Sequence, residues 1–365
     1  MNNKIIEIFK TFMILFIITI LLVCSILYIN DVKLAASNSI NICLTSVIPS
    51  MYGFMIIACF ILKSNLHTIM GKPFKHIAKF LFKISPEEFS IFLISVFAGY
   101  PVGAKIIYEL ELNNSISKKR AENLSCYCYS SGPAFIVGTV ATTLYGSIKV
   151  GIIIFLSIII SNIITGIVVG LFSKEETYFT SRHKTKINLD MNTLVSSVRT
   201  AAKSIFEICI MMLMFSVLYA IILRVGIIAS MTKIISQLFN INADISQQII
   251  ASFFEISNIS NFDANNYTNL PIITGLLSFG GLCVIMQIIA ISRGKIKFIK
   301  FILVRSFSAI SSAIICKIVA DKLFASVIIN TYLNTQVKSS EYSVIPSIAL
   351  LLMTIILLFK KDWTN

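Results

Sequence analysis

Charge is scarce in this chain. Only 13% of its 365 residues are Asp, Glu, Lys or Arg, about half the share in a soluble domain. Acidic residues are the scarcest, with 17 Asp and Glu against 31 Lys and Arg. The excess of positive charge invites a nucleic-acid reading, but Lys and Arg sit between apolar segments rather than on one basic domain. No nucleic-acid partner is expected. The three histidines, His67, His76 and His183, stand at no ligand spacing, which leaves zinc chemistry unsupported. None of the eight cysteines forms a Cys-x-x-Cys pair, and all lie in or beside apolar runs. They read as small buried hydrophobes rather than as a disulfide or metal framework. The chain also has no His-x-x-x-His, Gly-x-Ser-x-Gly, phosphate-binding loop or intramembrane Asp pair. No enzyme, cofactor or direct use of ATP is expected.

What is abundant is apolar length. Hydrophobic residues make up 56% of the chain and its mean hydropathy is +0.86, so an all-α polytopic membrane protein is expected, with the lipid bilayer as its solvent. Apolar runs from about Thr11 to Ile29, Ile40 to Leu62 (with Pro49 inside), Ile148 to Phe172, Ala201 to Val225, Lys297 to Leu323 and Ile345 to Phe359 are long enough to span. The first follows Lys4 and Lys10 and is too long for a signal peptide, so a retained helix is preferred. Between Lys63 and Lys83, lysines interleave with Phe74, Ile77, Phe80 and Phe82. That spacing suits a basic amphipathic helix on the lipid surface.

Other runs are too short or are interrupted. Phe89–Ala98 stops at Gly99-Tyr100-Pro101-Val102-Gly103, and Ile245–Phe254 stops at Glu255-Ile256-Ser257-Asn258. Both read as re-entrant helical hairpins. Ala121–Tyr145 is broken at Ser130-Ser131-Gly132-Pro133 and Leu270–Ile291 at Ser278-Phe279-Gly280-Gly281. Loose backbone at membrane depth is tolerated only when buried in protein or lining a cavity. The order span, hairpin, broken span, continuous span occurs twice, with Gly132 and Gly280 about 148 residues apart, which suggests two repeats around a transport site. The division expected is an N-terminal helix (1–35), a first repeat (36–172), a polar cytoplasmic linker (173–200), a second repeat (201–325) and a C-terminal helix (326–365). With both termini cytoplasmic, only Lys33, Lys149, Arg224, Lys233, Lys317, Lys322 and Lys338 fall outside, leaving 24 of the 31 basic residues inside. The hairpins then enter from opposite sides, and the repeats are inverted.

These segments also carry a resemblance. Gly99-Tyr100-Pro101-Val102-Gly103-Ala104-Lys105, Ser131-Gly132-Pro133-Ala134-Phe135, Glu255-Ile256-Ser257 and Ser278-Phe279-Gly280-Gly281-Leu282 with Gln287 are similar to the YlbJ-type sporulation integral membrane proteins, also called SpoVV. Those proteins carry two nucleoside-recognition, or Gate, segments related to concentrative nucleoside transporters. Tyr129-Ser130, Asn258 and Cys283 depart from the pattern. The resemblance implies transport of dipicolinic acid across the outer forespore membrane. A nucleoside or other small-solute transporter, or a non-transporting scaffold for spore assembly, stands as the alternative. A homo-oligomer is compatible with either.

The candidate site follows from the breaks. Half-helices opening after Pro133 and at Gly280-Gly281 present free N–H groups and positive dipole ends that attract an anion. Ser131, Ser257, Asn258, Ser278 and Gln287 offer neutral hydrogen bonds, and Gly99, Gly103, Gly132, Gly280 and Gly281 permit close backbone approach. Tyr100 and Tyr129 could stack on an aromatic ligand. Glu255, a carboxylate at an apolar hairpin tip, could carry a coupling proton, hold a cation or cap a half-helix. Lys105 could face an acidic substrate or pair with Glu109, and Glu207 could pair with Arg305.

Overall fold

The computed structural model describes residues 2–173, 187–262 and 267–324. The last apolar run (345–359), the charged stretch 174–186 and Lys338, Lys360 and Lys361 lie outside the described residues. Met1–Ala320 form one compact unit and a second begins at Asp321; the contacts below all lie within the first.

The described residues are helical, with no strand among them. In chain order the main helices are α1 (Asn2–Leu27), α2 (Ile29–Lys63), α3 (Pro86–Ala98), α4 (Val102–Leu112), α5 (Lys118–Tyr127), α6 (Ala134–Tyr145) and α7 (Ile148–Phe172), then α8 (Met191–Arg224), α9 (Ile227–Phe239), α10 (Ala243–Phe254), α11 (Leu270–Phe279), α12 (Gly281–Ile291) and α13 (Phe298–Phe324). Six helical stretches, counting Tyr267–Ile291 as one, are long and apolar enough to cross a membrane. The chain is an integral membrane protein.

Local chemistry explains the boundaries. Ser85 accepts from the Glu88 N–H while the Glu88 carboxylate accepts from the Ser85 N–H, a reciprocal cap that starts α3 with Pro86 in its first turn. Ser117 caps α5 and Asn242 caps α10. In α2 a wide π-turn at Cys43–Val47 lies just before Pro49, where the ring would otherwise press on the carbonyl four residues back. The helix begins at Ile29, well before the Ile40 read from hydropathy. The stretch after Lys63 is not one amphipathic helix. Gly71 and Pro73 divide it into short turns at His67–Met70, Lys72–Phe74, Lys75–Ile77 and Ala78–Phe82. Phe82 turns inward, where Gly166 and Gly170 of α7 leave room for it.

Polar contacts sort the connections into two layers. In the first, Lys63 Nζ donates to the Ser196 carbonyl (2.9 Å) and Thr200 Oγ1 (2.7 Å), joining the end of α2 to the start of α8. Arg120 holds Glu88 at 2.6 and 2.8 Å, Lys295 holds Glu111 at 2.6 and 2.7 Å, and Lys300 donates to Asn123. Both ends of the α3–α4 hairpin therefore lie in this basic layer, together with the start of α5 and the end of α12. In the other layer Arg224 pairs with Asp31, and the rings of Tyr145 and Tyr267 stack with centroids 5.4 Å apart. The path α5–α6 thus leaves the basic layer and α11–α12 returns to it.

Candidate functional site

The two interrupted helices meet at their breaks. A helix leaves its last four carbonyls without helical partners, and those of α11 are all met. The Leu276 carbonyl accepts from the Gly280 N–H (2.8 Å), where Gly280 turns left-handed at φ +89°. The Leu277 carbonyl faces the hydroxyls of Ser131 (3.2 Å) and Tyr100 (3.4 Å), which lie 2.6 Å from each other. The Ser278 carbonyl accepts from Arg305 Nη2, and that of Phe279 from the Tyr129 hydroxyl (2.8 Å). Three of these four partnerships come from outside the helix, two of them from the first hairpin tip and the first break.

Arg305 is the charge at this junction. It is fully buried. Nη1 donates to the Cys126 carbonyl near the end of α5 (3.1 Å) and to Asn162 Oδ1 of α7 (3.0 Å). Nη2 also donates to Ser278 Oγ (3.2 Å). The guanidinium carbon sits 4.4 Å from the Tyr129 ring centroid. Asn162 in turn donates to the Tyr129 carbonyl at 2.9 Å. A cation therefore sits where the negative ends of two half-helices converge. Glu207 is not its partner; that carboxylate is exposed on α8, so the expected ion pair is replaced by carbonyls, an amide and an aromatic face. Nor do Tyr100 and Tyr129 hold a ligand between them. They pack on each other, with centroids 4.8 Å apart, and Tyr129 is also covered by Arg305 and Phe301.

The opposite, N-terminal ends of the second half-helices open onto a cavity of about 40 Å³. Ser131, Gly132 and Phe135 bring the start of α6 to it, and Cys283, Val284 and Gln287 bring the start of α12. The hairpin tips contribute Tyr100 on one side and Glu255, Ile256 and Ser257 on the other. Six residues expected from sequence, Tyr100, Ser131, Gly132, Glu255, Ser257 and Gln287, thus share one wall. Val47 and Met51 of α2 and Ile208 and Met212 of α8 close it. Those four are ordinary apolar positions in spanning helices, and nothing in the sequence marks them.

Glu255 is 1% exposed. Its Oε2 accepts from the backbone N–H of Ser257 (3.0 Å) and from the Ser257 hydroxyl, so it caps the short helix Ile256–Asn261 while also lining the cavity. The other expected residues shape the site from behind. A Cβ on Gly99 (φ +78°) would come within 2.9 Å of the Gly132 nitrogen, so the first tip and first break can touch only through glycine. Gly103 packs on Ser95 and the Cys128 carbonyl, and Gly281 on the carbonyls of Ser252 and Phe253. Pro133 opens α6. Ser278 belongs to the Arg305 junction. The Asn258 amide donates to the Ala251 and Glu255 carbonyls, both at 3.1 Å, facing away from the cavity. Lys105 donates to Ser204 of α8 (2.8 Å) rather than to Glu109.

Fold and site together define a polytopic helical membrane protein with a cavity built from two broken helices and two hairpin tips. Over 307 residues it is 21% identical to the "Sporulation integral membrane protein YlbJ" of Bacillus subtilis (strain 168), covering 77% of this chain and 75% of that protein. The similarity covers most of the chain and supports the resemblance to the YlbJ-type proteins read from the sequence. No family model and no solved structure matches it.

Proposed function

We propose that this protein transports a small organic anion, dipicolinate first among them, across the outer forespore membrane during sporulation. The observation that carries the reading is the convergence of both half-helix N-termini and both hairpin tips on one cavity. The positive dipole ends of the two half-helices favour a carboxylate there, and Ser131, Ser257 and Gln287 can orient it. Glu255 faces the same space, so a bound dicarboxylate requires that side chain to be protonated or paired with a cation. That requirement makes Glu255 the coupling residue. At about 40 Å³ the cavity has room for water but not for a dicarboxylate, so binding requires it to widen.

The two-layer arrangement supports inverted repeats with a cytoplasmic basic layer and N-terminus. The relative's printed name supports the sporulation setting. The protein is proposed to move solute and not to turn it over. Uptake of labelled dipicolinate into proteoliposomes tests this. Accumulation above protein-free liposomes supports transport, and its absence in both orientations across proton and sodium gradients overturns it.

A further inference from the structure

A second chamber adjoins the central cavity. It lies between the first turns of α4, the middle of α8 and the end of α12, and its volume is about 250 Å³ against about 40 Å³ for the inner one. Ile208 and Gln287 line both chambers, so these two side chains form the partition. The elements lining the outer chamber lead to the basic layer. From the partition, α4 runs to Glu111 and its Lys295 partner, α12 to the same lysine, and α8 back to Thr200 and Lys63. The outer chamber therefore lies on the basic-layer side of the inner one.

Its chemistry differs from that of the inner cavity. Lys105 lines the wall, and its ammonium has a neutral partner, Ser204. Among the described residues no carboxylate lies within ion-pair distance of it. Glu207 lines the same chamber from α8. At the partition, Gln287 is 6% exposed; among the described residues its Oε1 has no hydrogen-bond partner and its Nε2 reaches only the Cys283 sulfur at 3.5 Å. A buried carboxamide left half-used costs free energy; turned over about its last bond, it places its NH2 donors at the unpartnered position, where a carboxylate can accept, and its oxygen beside the Cys283 thiol.

We propose that this outer chamber is a second binding site for the transported anion, with Lys105 as its counter-charge and Gln287 as the amide that the solute engages on its way to Glu255. The proposal rests on the transport reading and adds to it a waiting site of larger volume with a cation in its wall. A planar dicarboxylate has one carboxylate for Lys105 and another to lead toward the half-helix N-termini.

The test is equilibrium binding of labelled dipicolinate to the full-length protein in lipid nanodiscs, compared across variants of the outer chamber. Lys105→Met should weaken binding roughly tenfold, the scale of one charge-assisted hydrogen bond, and Lys105→Arg should restore it to within about twofold. Glu207→Gln should tighten binding, because it removes a like charge from the same wall. Opposite signs at two positions are not what a general loss of folding produces. Wild-type affinity in Lys105→Met, or Glu207→Gln that weakens binding, overturns the outer site and leaves the transport reading standing. Wild-type protein that binds and accumulates no dipicolinate overturns both.

Discussion

The hydroxyl of Tyr129 donates to the carbonyl of Phe279 at 2.8 Å. One residue lies in the break of the first interrupted helix and the other ends the half-helix before the second break. The first break thus helps to complete the second, where the carbonyls that end α11 are all met in a setting without water. Arg305 extends the same logic, since its two nitrogens reach the ends of both first half-helices.

The guanidinium should therefore be hard to replace. Arg305→Lys keeps the charge but cannot span from Cys126 and Asn162 on one side to Ser278 on the other. We expect a lower apparent Tm in detergent, and a larger drop for Arg305→Met, which strands two carbonyls at about 1–3 kcal/mol each. Scanning fluorimetry of the purified variants checks the order wild type, Lys, Met. Equal stability of all three would remove the junction from the account.

Gly280 is held at φ +89°, and a Cβ there would run into the Tyr129 hydroxyl. Gly280→Ala should destabilise the protein by the left-handed backbone cost of about 1–2 kcal/mol plus the clash. In a Tyr129→Phe background the clash is smaller, so the same substitution should cost less. Additive losses in the double variant would show that the two residues do not meet.

Glu255→Gln keeps the shape and most hydrogen bonding of the tip but cannot take up a proton or hold a cation. It should reach the membrane at wild-type level, yet its dipicolinate uptake should no longer respond to a pH or sodium gradient. Protein level, uptake and gradient dependence are measured together. A wild-type response on all three would exclude Glu255 from coupling.

The hairpin reading predicts sidedness. Single cysteines in a cysteine-free background at Lys79, before α3, and at Asn114, between α4 and α5, should react with impermeant thiol reagents from the same side of the membrane, and one at Asn240, between α9 and α10, from the opposite side. Labelling of positions 79 and 114 from opposite sides would mean that α3 and α4 do not form a re-entrant pair.

His67 lies in the connection after α2, 5% exposed, and its Nδ1 has no partner among the described residues. Burial lowers its pKa from the ordinary 6.5, opposed by the carbonyls of Ile61 and Leu62 and by Glu87. The folded protein therefore binds this proton less readily than the unfolded chain. The stabilisation is complete above about pH 6.5 and is lost as pH falls below that value. His67→Gln should flatten the decline in apparent Tm between about pH 7 and pH 5. An unchanged slope would assign the acid sensitivity elsewhere.

The interruptions were legible in the chain because their causes are local. Gly280 supplies a left-handed turn, Pro133 lacks the N–H that a helix interior needs, and Glu255 stands out because a carboxylate is costly in an apolar hairpin. For the same reason Tyr100, Ser131, Gly132, Ser257 and Gln287 could be named beforehand. The partners of those residues were not legible. Asn162 sits in a 25-residue apolar helix and has no local signature. Ile227–Phe239 was not anticipated as a helix, and Arg305 was paired by sequence with the wrong residue. Hydropathy and backbone propensity act over a few residues and determine where helices start, stop and break. The carbonyls of Cys126 and Ser278 meet Arg305 across 179 and 27 residues, and only packing of the helices decides which donor reaches which acceptor.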